Sequence, residues 1–388
     1  MISVNEALET LFSLATVQDV EFVPLRNAVG RVLRHPVRAK RDQPPFDSSV
    51  MDGYAVSSAR PGERLKIIGE SSAGHGFEGS VSEGETVRIF TGAPLPEGAT
   101  RVVIQEDAQS DGTHITIREN PETALYIRSI GADFAQNDLF PAPKTLSPQD
   151  IALLAAMNIE TVAVSKRPQV ALISTGDELV MPGEAPKPDQ IIASNALGLM
   201  ALLQQNGADP KLLPIAKDNE ASLRQAFFLA EGCDLIITIG GASVGDYDLV
   251  APVARSLGMQ LGFHKVAMRP GKPLMSGRLR DTMMIGLPGN PVSAMVCGHV
   301  FVLPVIRSML GLPREASNWK RAPTLTDLPE NGPREHYMRA TQTAEGLTVA
   351  PRQDSSLLSV LASSNVLAIR PPHAPAAKAG QLIPYLEL

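Results

Sequence analysis

Only two cysteines, Cys233 and Cys297, occur in 388 residues, both in apolar stretches. Two thiols cannot build a disulfide framework in a chain of this length, so a reduced, cytoplasmic protein is expected. Aromatic residues make up only 4%, with a single Trp, which argues against a surface that stacks bases or sugars. There is no block of like charges, and the formal net charge of −6 disfavours nucleic acid as a partner. No apolar run approaches the roughly 20 residues needed to cross a bilayer. The N-terminal MISVNEALETLF carries Glu6 and Glu9 and no basic segment, so neither a membrane nor a secretion signal is expected.

What the chain does have is apolar content of 44%, in a length too great for one core, so several domains are expected. Its 31 glycines and 32 prolines imply many turns and short strands rather than a helical bundle. Residues 3–17 follow a helical period, with Val4, Ala7, Leu8, Leu11 and Leu14 on one face. From 44 to about 142, short alternating runs such as VRIF lie between Gly/Pro turns, a β-rich pattern. SPQDIALLAAMNI (147–159) then reads as a helix capped by Ser147 with Pro148 in its first turn, packing back on the N-terminal segment. From 168 strands and helices alternate, which predicts a doubly wound parallel sheet. In this reading helices cover 246–257 and the stretch from Asn290-Pro291 to Leu310, and a strand covers 259–267. After Pro313 short strands return as a small β-barrel or sandwich. The expected divisions are an N-terminal domain of 1–43 plus 141–167, a β-rich insertion at 44–140, an α/β domain at 168–315 and a C-terminal β domain at 316–388.

Ligands of an open parallel sheet bind at the carboxyl ends of its strands, so the loops there carry the chemistry. In STGDEL, Asp177 and Glu178 either bind a divalent ion or cap the next element. In AKDNEASL, Asp218 and Asn219 either do the same or serve as an N-cap. DLIITIGGASVGDYD (234–248) puts Gly240 and Gly241 after a buried strand, fitting neither GxGxxG nor a P-loop. Its glycines let backbone N–H groups approach an anion, and Ser243 adds a hydroxyl. Asp246 caps the following helix in this reading, and Asp248 falls in its first turn, where it can point at a metal. GLPGNPVSAM puts Pro288, Gly289 and Asn290 before a helix whose free N–H groups attract anions. Two anion-favouring loops beside carboxylates point to a phosphate or diphosphate bridged by Mg2+. HKVAMRPGKPLMSG adds Lys265, Arg269 and Lys272 around a Pro-Gly turn, either a solvated basic turn or an oxyanion site. PPFDSSVMDGYA, with Asp47 and Asp52, and RIFTGAPLPEGA, with Thr91 and Gly92, have no derivable chemistry. Their distance from the α/β region suggests that they complete a site across a domain or subunit boundary.

Taken together, DSSVMDGYA, TGAPLPEGA, STGDEL, GGASVGDYD, RPGKP and LPGNPVSA resemble the molybdopterin molybdenumtransferases, called MoeA in bacteria and found as the C-terminal part of gephyrin in animals. The resemblance implies a central α/β domain of the MogA/MoaB kind, four domains and a homodimer. It implies Mg2+-dependent insertion of molybdate into adenylylated molybdopterin, with release of AMP, in molybdenum cofactor biosynthesis. By motif position it assigns Asp52 and Thr91, from the partner subunit, together with Glu178, Asp218 and Asp248, to catalysis. The last three form the metal set. It assigns Gly240, Gly241, Ser243, Gly245, Lys265, Arg269, Lys272, Pro288, Gly289, Asn290, Arg339 and Ser355 to substrate. Arg269 stands where the family commonly has Lys, and Asp354-Ser355 where QGS is common. Tungstate in place of molybdate, or a gephyrin-like scaffold, are the alternatives. Other proteins of the cofactor pathway are possible partners.

Overall fold

A computed structural model describes residues 1–241 and 249–388, and the chain forms two compact units. One unit comprises Met1–Glu21, Gly30–Arg34 and Val164–Leu388; the other comprises Phe22–Val29 and His35–Ala163.

The first unit is built on a six-stranded sheet. Its strands are β1 (Gln169–Ser174), β2 (Asp209–Leu212), β3 (Leu235–Ile239), β4 (Met259–His264), β5 (Met275–Leu279) and β6 (Thr282–Leu287), in the spatial order β2-β1-β3-β6-β5-β4. β2, β1, β3 and β6 run parallel, as the alternating pattern predicts. β3 is buried at every position because helices cover both faces. The far edge departs from the prediction: β5 pairs antiparallel with β6, and β4 antiparallel with β5. The cause is the tight basic loop at 264–274, where Lys265 N–H donates to Leu274 O and Val266 N–H to Lys272 O. That turn sends the chain straight back as β5, a strand the sequence reading takes as turn.

Helix α1 (Asn195–Gln205) follows β1, α2 (Glu220–Leu229) follows β2, and α3 (Val250–Ser256) follows β3. α3 starts at Val250 with Leu249 in the cap position, not at 246. Pro252 explains this, because a helix tolerates proline only in its first turn. The cap role read for Asp246 and the first-turn position read for Asp248 fall on residues that, with Ser243 and Gly245, lie outside the described residues. α4 (Pro291–Cys297) continues through a π-helical turn, Gly298–Val302, into Leu303–Met309. The combined 19-residue stretch is apolar and long enough to span a bilayer, contrary to the sequence reading. It is 78% buried in the protein and forms the core helix of this unit. The N-terminal helix Val4–Leu14, closed by a Ser3–Glu6 capping box, buries Val4, Ala7, Leu8 and Leu11 in the same cluster as Val170, Leu172 and Ile237. C-terminal strands Lys320–Pro323, Glu335–Thr343, Val366–Arg370 and Leu382–Glu387 form the expected small β domain. The two-residue strand Met268–Arg269 joins its edge in parallel with Glu335–Thr343.

The second unit carries another six-stranded sheet, centred on Gly53–Val56, Glu85–Ile89 and Arg64–Ser71. Its period-2 alternation sends Tyr54 and Val56 to one apolar cluster and Ala55, Val87 and Ile89 to the other. Helix Pro148–Ala156 has the expected Ser147 cap, here a full box with Asp150, which also binds Lys144 Nζ at 2.7 Å. It meets the N-terminal segment at the turn Leu25–Asn27.

Candidate functional site

Strand order reverses between β1 and β3, because β1 leads to β2 on one side while β3 lies on the other. A crevice opens there at the carboxyl ends. Its volume is about 710 Å³, and all four loops singled out in the sequence contribute to it. Thr175, Gly176 and Glu178 come from the end of β1, and Asp218 from the loop before α2. Gly240 and Gly241 leave β3; Pro288, Gly289 and Asn290 leave β6.

Local hydrogen bonding separates the carboxylates that hold the fold from those that face the crevice. Asn219 Oδ1 accepts from Ser222 N–H and caps α2, so Asp218 is not needed as a cap. Asp177 Oδ1 accepts from Asp218 N–H at 3.4 Å, while Glu178, its neighbour, lines the crevice. Gly240 (φ +94°) donates its N–H to Leu287 O, and a Cβ there would lie 2.9 Å from Thr175 O. Gly241 (φ +63°) would press a Cβ to 2.2 Å from Val250 Cγ2. These glycines are required by backbone conformation and by close approach. The start of α4 offers fewer free donors than the sequence suggests. Pro291 has no N–H, and Val292 N–H is taken by Ser355 O. Ser355 Oγ also accepts from Asn290 Nδ2 at 3.1 Å, so it braces the crevice wall, and its neighbour Ser356 lines it.

The basic residues gather elsewhere. Lys265, Arg269, Lys272 and Arg339 do not line the crevice, although Pro273 does. Arg269 stands in register with His336, and His336 with Arg370, across three adjacent strands. Arg339 is fully buried. Its Nη2 donates to Asp354 O at 3.0 Å, while Nε and Nη1 have no acceptor among the described residues. Burial, then the Arg269 guanidinium, hold the Arg339 pKa below its ordinary value. Burial, then Arg269, Arg339, Arg334 and Arg370, push His336 down to about 4.

In the second unit Asp52 and Thr91 touch directly. Asp52 Oδ1 accepts from both Thr91 N–H and Thr91 Oγ1–H, each at 2.8 Å. The Thr91 N–H, then its hydroxyl, hold the carboxyl below its usual range, and Arg88 adds to this. Asp47, by contrast, is a loop brace, accepting from Ile130 N–H at 2.8 Å. Sequence reasoning missed Thr175, Ser194, Asn195, Pro273 and Ser356 as lining residues. Ser194-Asn195 after the Pro-rich stretch 182–188 is a helix-start signal that would have found two of them.

A parallel sheet opening at its switch point onto glycine turns and carboxylates defines an open α/β protein suited to a phosphorylated ligand. Residues 2–158 match the MoeA N-terminal region (domain I and II), 171–308 a probable molybdopterin binding domain, and 321–388 the MoeA C-terminal region (domain IV). The chain is 37% identical to the molybdopterin molybdenumtransferase of Nostoc sp., over 96% of this chain and 90% of that protein. It is 30% identical to the molybdopterin molybdenumtransferase of Bacillus subtilis, over 95% and 90%. The crystal structure of the molybdopterin biosynthesis moeA protein from Pyrococcus horikoshii OT3 superposes with a TM-score of 0.86 at 26% identity, covering 100% of both chains. The chain belongs to the molybdopterin molybdenumtransferase (MoeA) family.

Proposed function

We propose that this protein is an enzyme of molybdenum cofactor biosynthesis that inserts molybdate into adenylylated molybdopterin and releases AMP. The observation that carries the reading is the convergence of four strand-end loops on one crevice whose only charged lining residues, among those described, are Glu178 and Asp218. A diphosphate beside two carboxylates is repelled unless a cation lies between them. Mg2+ fits this donor set, since it favours carboxylate and phosphate oxygens and keeps several waters. Among the described residues no group of three acidic, His or Cys side chains could hold a metal by itself. Glu178 and Asp218, with Asp248, would hold the ion, which when bound neutralises charge on the diphosphate. The Gly240-Gly241 backbone lets the phosphate approach closely, and Asn290 and Ser355 fix the opposite wall. Arg269 and Arg339, with Lys265 and Lys272, supply positive charge for the oxyanion.

The protein acts as a homodimer in this reading, with Asp52 and Thr91 serving the partner's crevice. The test is AMP release from adenylylated molybdopterin with Mg2+ and molybdate. No release, with substrate demonstrably bound, overturns the reading. Mixing Asp52→Asn chains with Glu178→Gln chains should restore activity toward one quarter to one half of the parental rate if the two residues serve one site from different subunits. Two inactive variants that stay inactive after subunit exchange overturn the shared site.

A further inference from the structure

Arg88 lies in the strand Glu85–Ile89 of the second unit and takes part in none of the ion pairs among the described residues. Its guanidinium carbon instead lies 4.9 Å from the ring centroid of Tyr54 and 4.9 Å from that of Phe90, within cation–π range. The strand register accounts for this, since Tyr54 stands opposite Arg88 in the antiparallel ladder and Phe90 follows two positions later. Arg88 Nη1 donates to Gly53 O at 3.1 Å and Nη2 to Gln105 Oε1 at 2.9 Å. Gln105 N–H donates in turn to Asp52 O at 3.0 Å. A Cβ on Gly53 would lie 2.1 Å from Val103 O, so the backbone leaving Asp52 is pressed against its neighbour strand. One guanidinium thus grips the main chain just after Asp52 and the side chain of the residue that holds the Asp52 carbonyl. Asp52 Oδ1 is filled by the two Thr91 donors, and Oδ2 has no hydrogen-bond partner among the described residues.

We infer that Arg88 is a positioning residue for Asp52, holding its backbone so that Oδ1 rests on Thr91 and Oδ2 is left for the substrate; the inference rests on the function proposed above. The task suits arginine, which offers two donors in a fixed fork and a flat face to aromatic rings. Lysine keeps the charge but is a point donor on a flexible stem. A direct salt bridge to Asp52 would occupy the oxygen that a substrate needs, and Arg88 avoids this by binding Gly53 O and Gln105 instead. Its charge still reaches the carboxylate. After the Thr91 N–H and hydroxyl, it is the third influence that holds the Asp52 carboxyl below its usual range.

The test measures kcat and KM for AMP release from adenylylated molybdopterin in Arg88→Met, Arg88→Lys and Gln105→Met, with the melting temperature as the folding control. Arg88→Met keeps an apolar stem against the rings and removes the fork and the charge. Its kcat should fall about tenfold or more with KM within about twofold of the parent, and Arg88→Lys should recover part of the loss. In an Asp52→Asn background, where the carboxylate is already gone, Arg88→Met should cost less than about twofold more. Gln105→Met cuts the same tie at an exposed residue and should show the same dependence on Asp52, so it carries the test if Arg88→Met does not fold. Unchanged kcat in the folded variant, or an equal fractional loss with and without the Asp52 carboxylate, overturns the inference and leaves the enzyme reading intact. Absence of AMP release by the unaltered protein instead overturns the reading beneath it.

Discussion

Replacing Arg339 with Met should separate stability from activity. The guanidinium is fully buried and makes one hydrogen bond, to Asp354 O, with Nε and Nη1 lacking acceptors among the described residues. Arg269 repels its charge, and no acidic side chain among the described residues pairs with it within 4 Å. Exchanging buried ions for apolar residues of similar volume is neutral or stabilising by about 1–4 kcal/mol, and the lost hydrogen bond returns about 0.5–1.5 kcal/mol. The net expectation lies between about 1.5 kcal/mol of lost and about 3.5 kcal/mol of added stability. For a unit of this size that shifts the melting temperature by roughly −6 to +14 °C, taking about 2–4 °C per kcal/mol. Molybdate-dependent AMP release should fall by about 100-fold, on the scale of removing one preorganised charge donor. Arg339→Lys should keep part of the activity but forfeit the fork geometry. Differential scanning fluorimetry and the AMP assay read the two quantities in one preparation. A variant that melts below the expected range and retains the parental rate would refute the argument, because Arg339 would then be a structural residue.

Three further outcomes follow from the same geometry. Thr91→Val removes the hydroxyl donor to Asp52 and should lower kcat by about tenfold, against about 100-fold for Asp52→Asn; equal rates for Thr91→Val and parent would show that the contact does not position the carboxylate. Gly240→Ala must hold φ near +94° and set a Cβ 2.9 Å from Thr175 O, at a cost of about 1–3 kcal/mol, read as a lower melting temperature. His299 and His336 both have folded pKa values near 4, below the unfolded 6.5, because burial disfavours their charged forms. Their contribution is complete above pH 6.5 and is lost as pH falls toward 4, since the unfolded chain binds the extra protons. It amounts to roughly 3 kcal/mol at most for each group. A His299→Gln, His336→Gln protein should therefore show a flatter urea midpoint between pH 7 and pH 4.5, and an undiminished slope would contradict the buried, neutral assignment.

The parallel half of the sheet was legible because each of its strands is an apolar run ending at glycine or proline, and the period changes to helical immediately afterward. That pattern also placed four loops on one crevice, since parallel strands share one carboxyl edge. The antiparallel edge was not legible. MSGRL carries too little β-branched character to read as a strand, and the hairpin before it reads as a basic turn. α3 could have been placed correctly by giving Pro252 its weight. Within the site, type and position were readable for Glu178 and Asp218, but the division of labour with Asp177 and Asn219 depends on hydrogen bonds between residues tens of positions apart. The burial of Arg339 was unreadable for a related reason. A basic residue in a strand is ordinarily solvated, and only packing on the face shared with Tyr337, Leu367 and Ile369 removes it from water.

The separation of charges bears on how the site works. Glu178 and Asp218 line the crevice, whereas Lys265, Arg269, Lys272 and Arg339 sit outside its lining. None of the six takes part in an ion pair among the described residues, although nine such pairs occur elsewhere among them. Had the guanidiniums and carboxylates shared one wall, mutual pairing would have spent most of their field on each other. Kept on separate elements, each set remains available to a ligand of opposite charge. Carboxylates keep their affinity for a divalent cation, and the buried guanidinium keeps its affinity for an oxyanion. A reaction that joins a tetrahedral oxyanion to a substrate losing a nucleotide needs both kinds of charge at once, at two ends of one molecule. Strand order is what keeps them apart: β1 and β2 carry the acids to one sheet edge, while the 264–274 hairpin delivers Arg269 to the C-terminal sheet that holds Arg339.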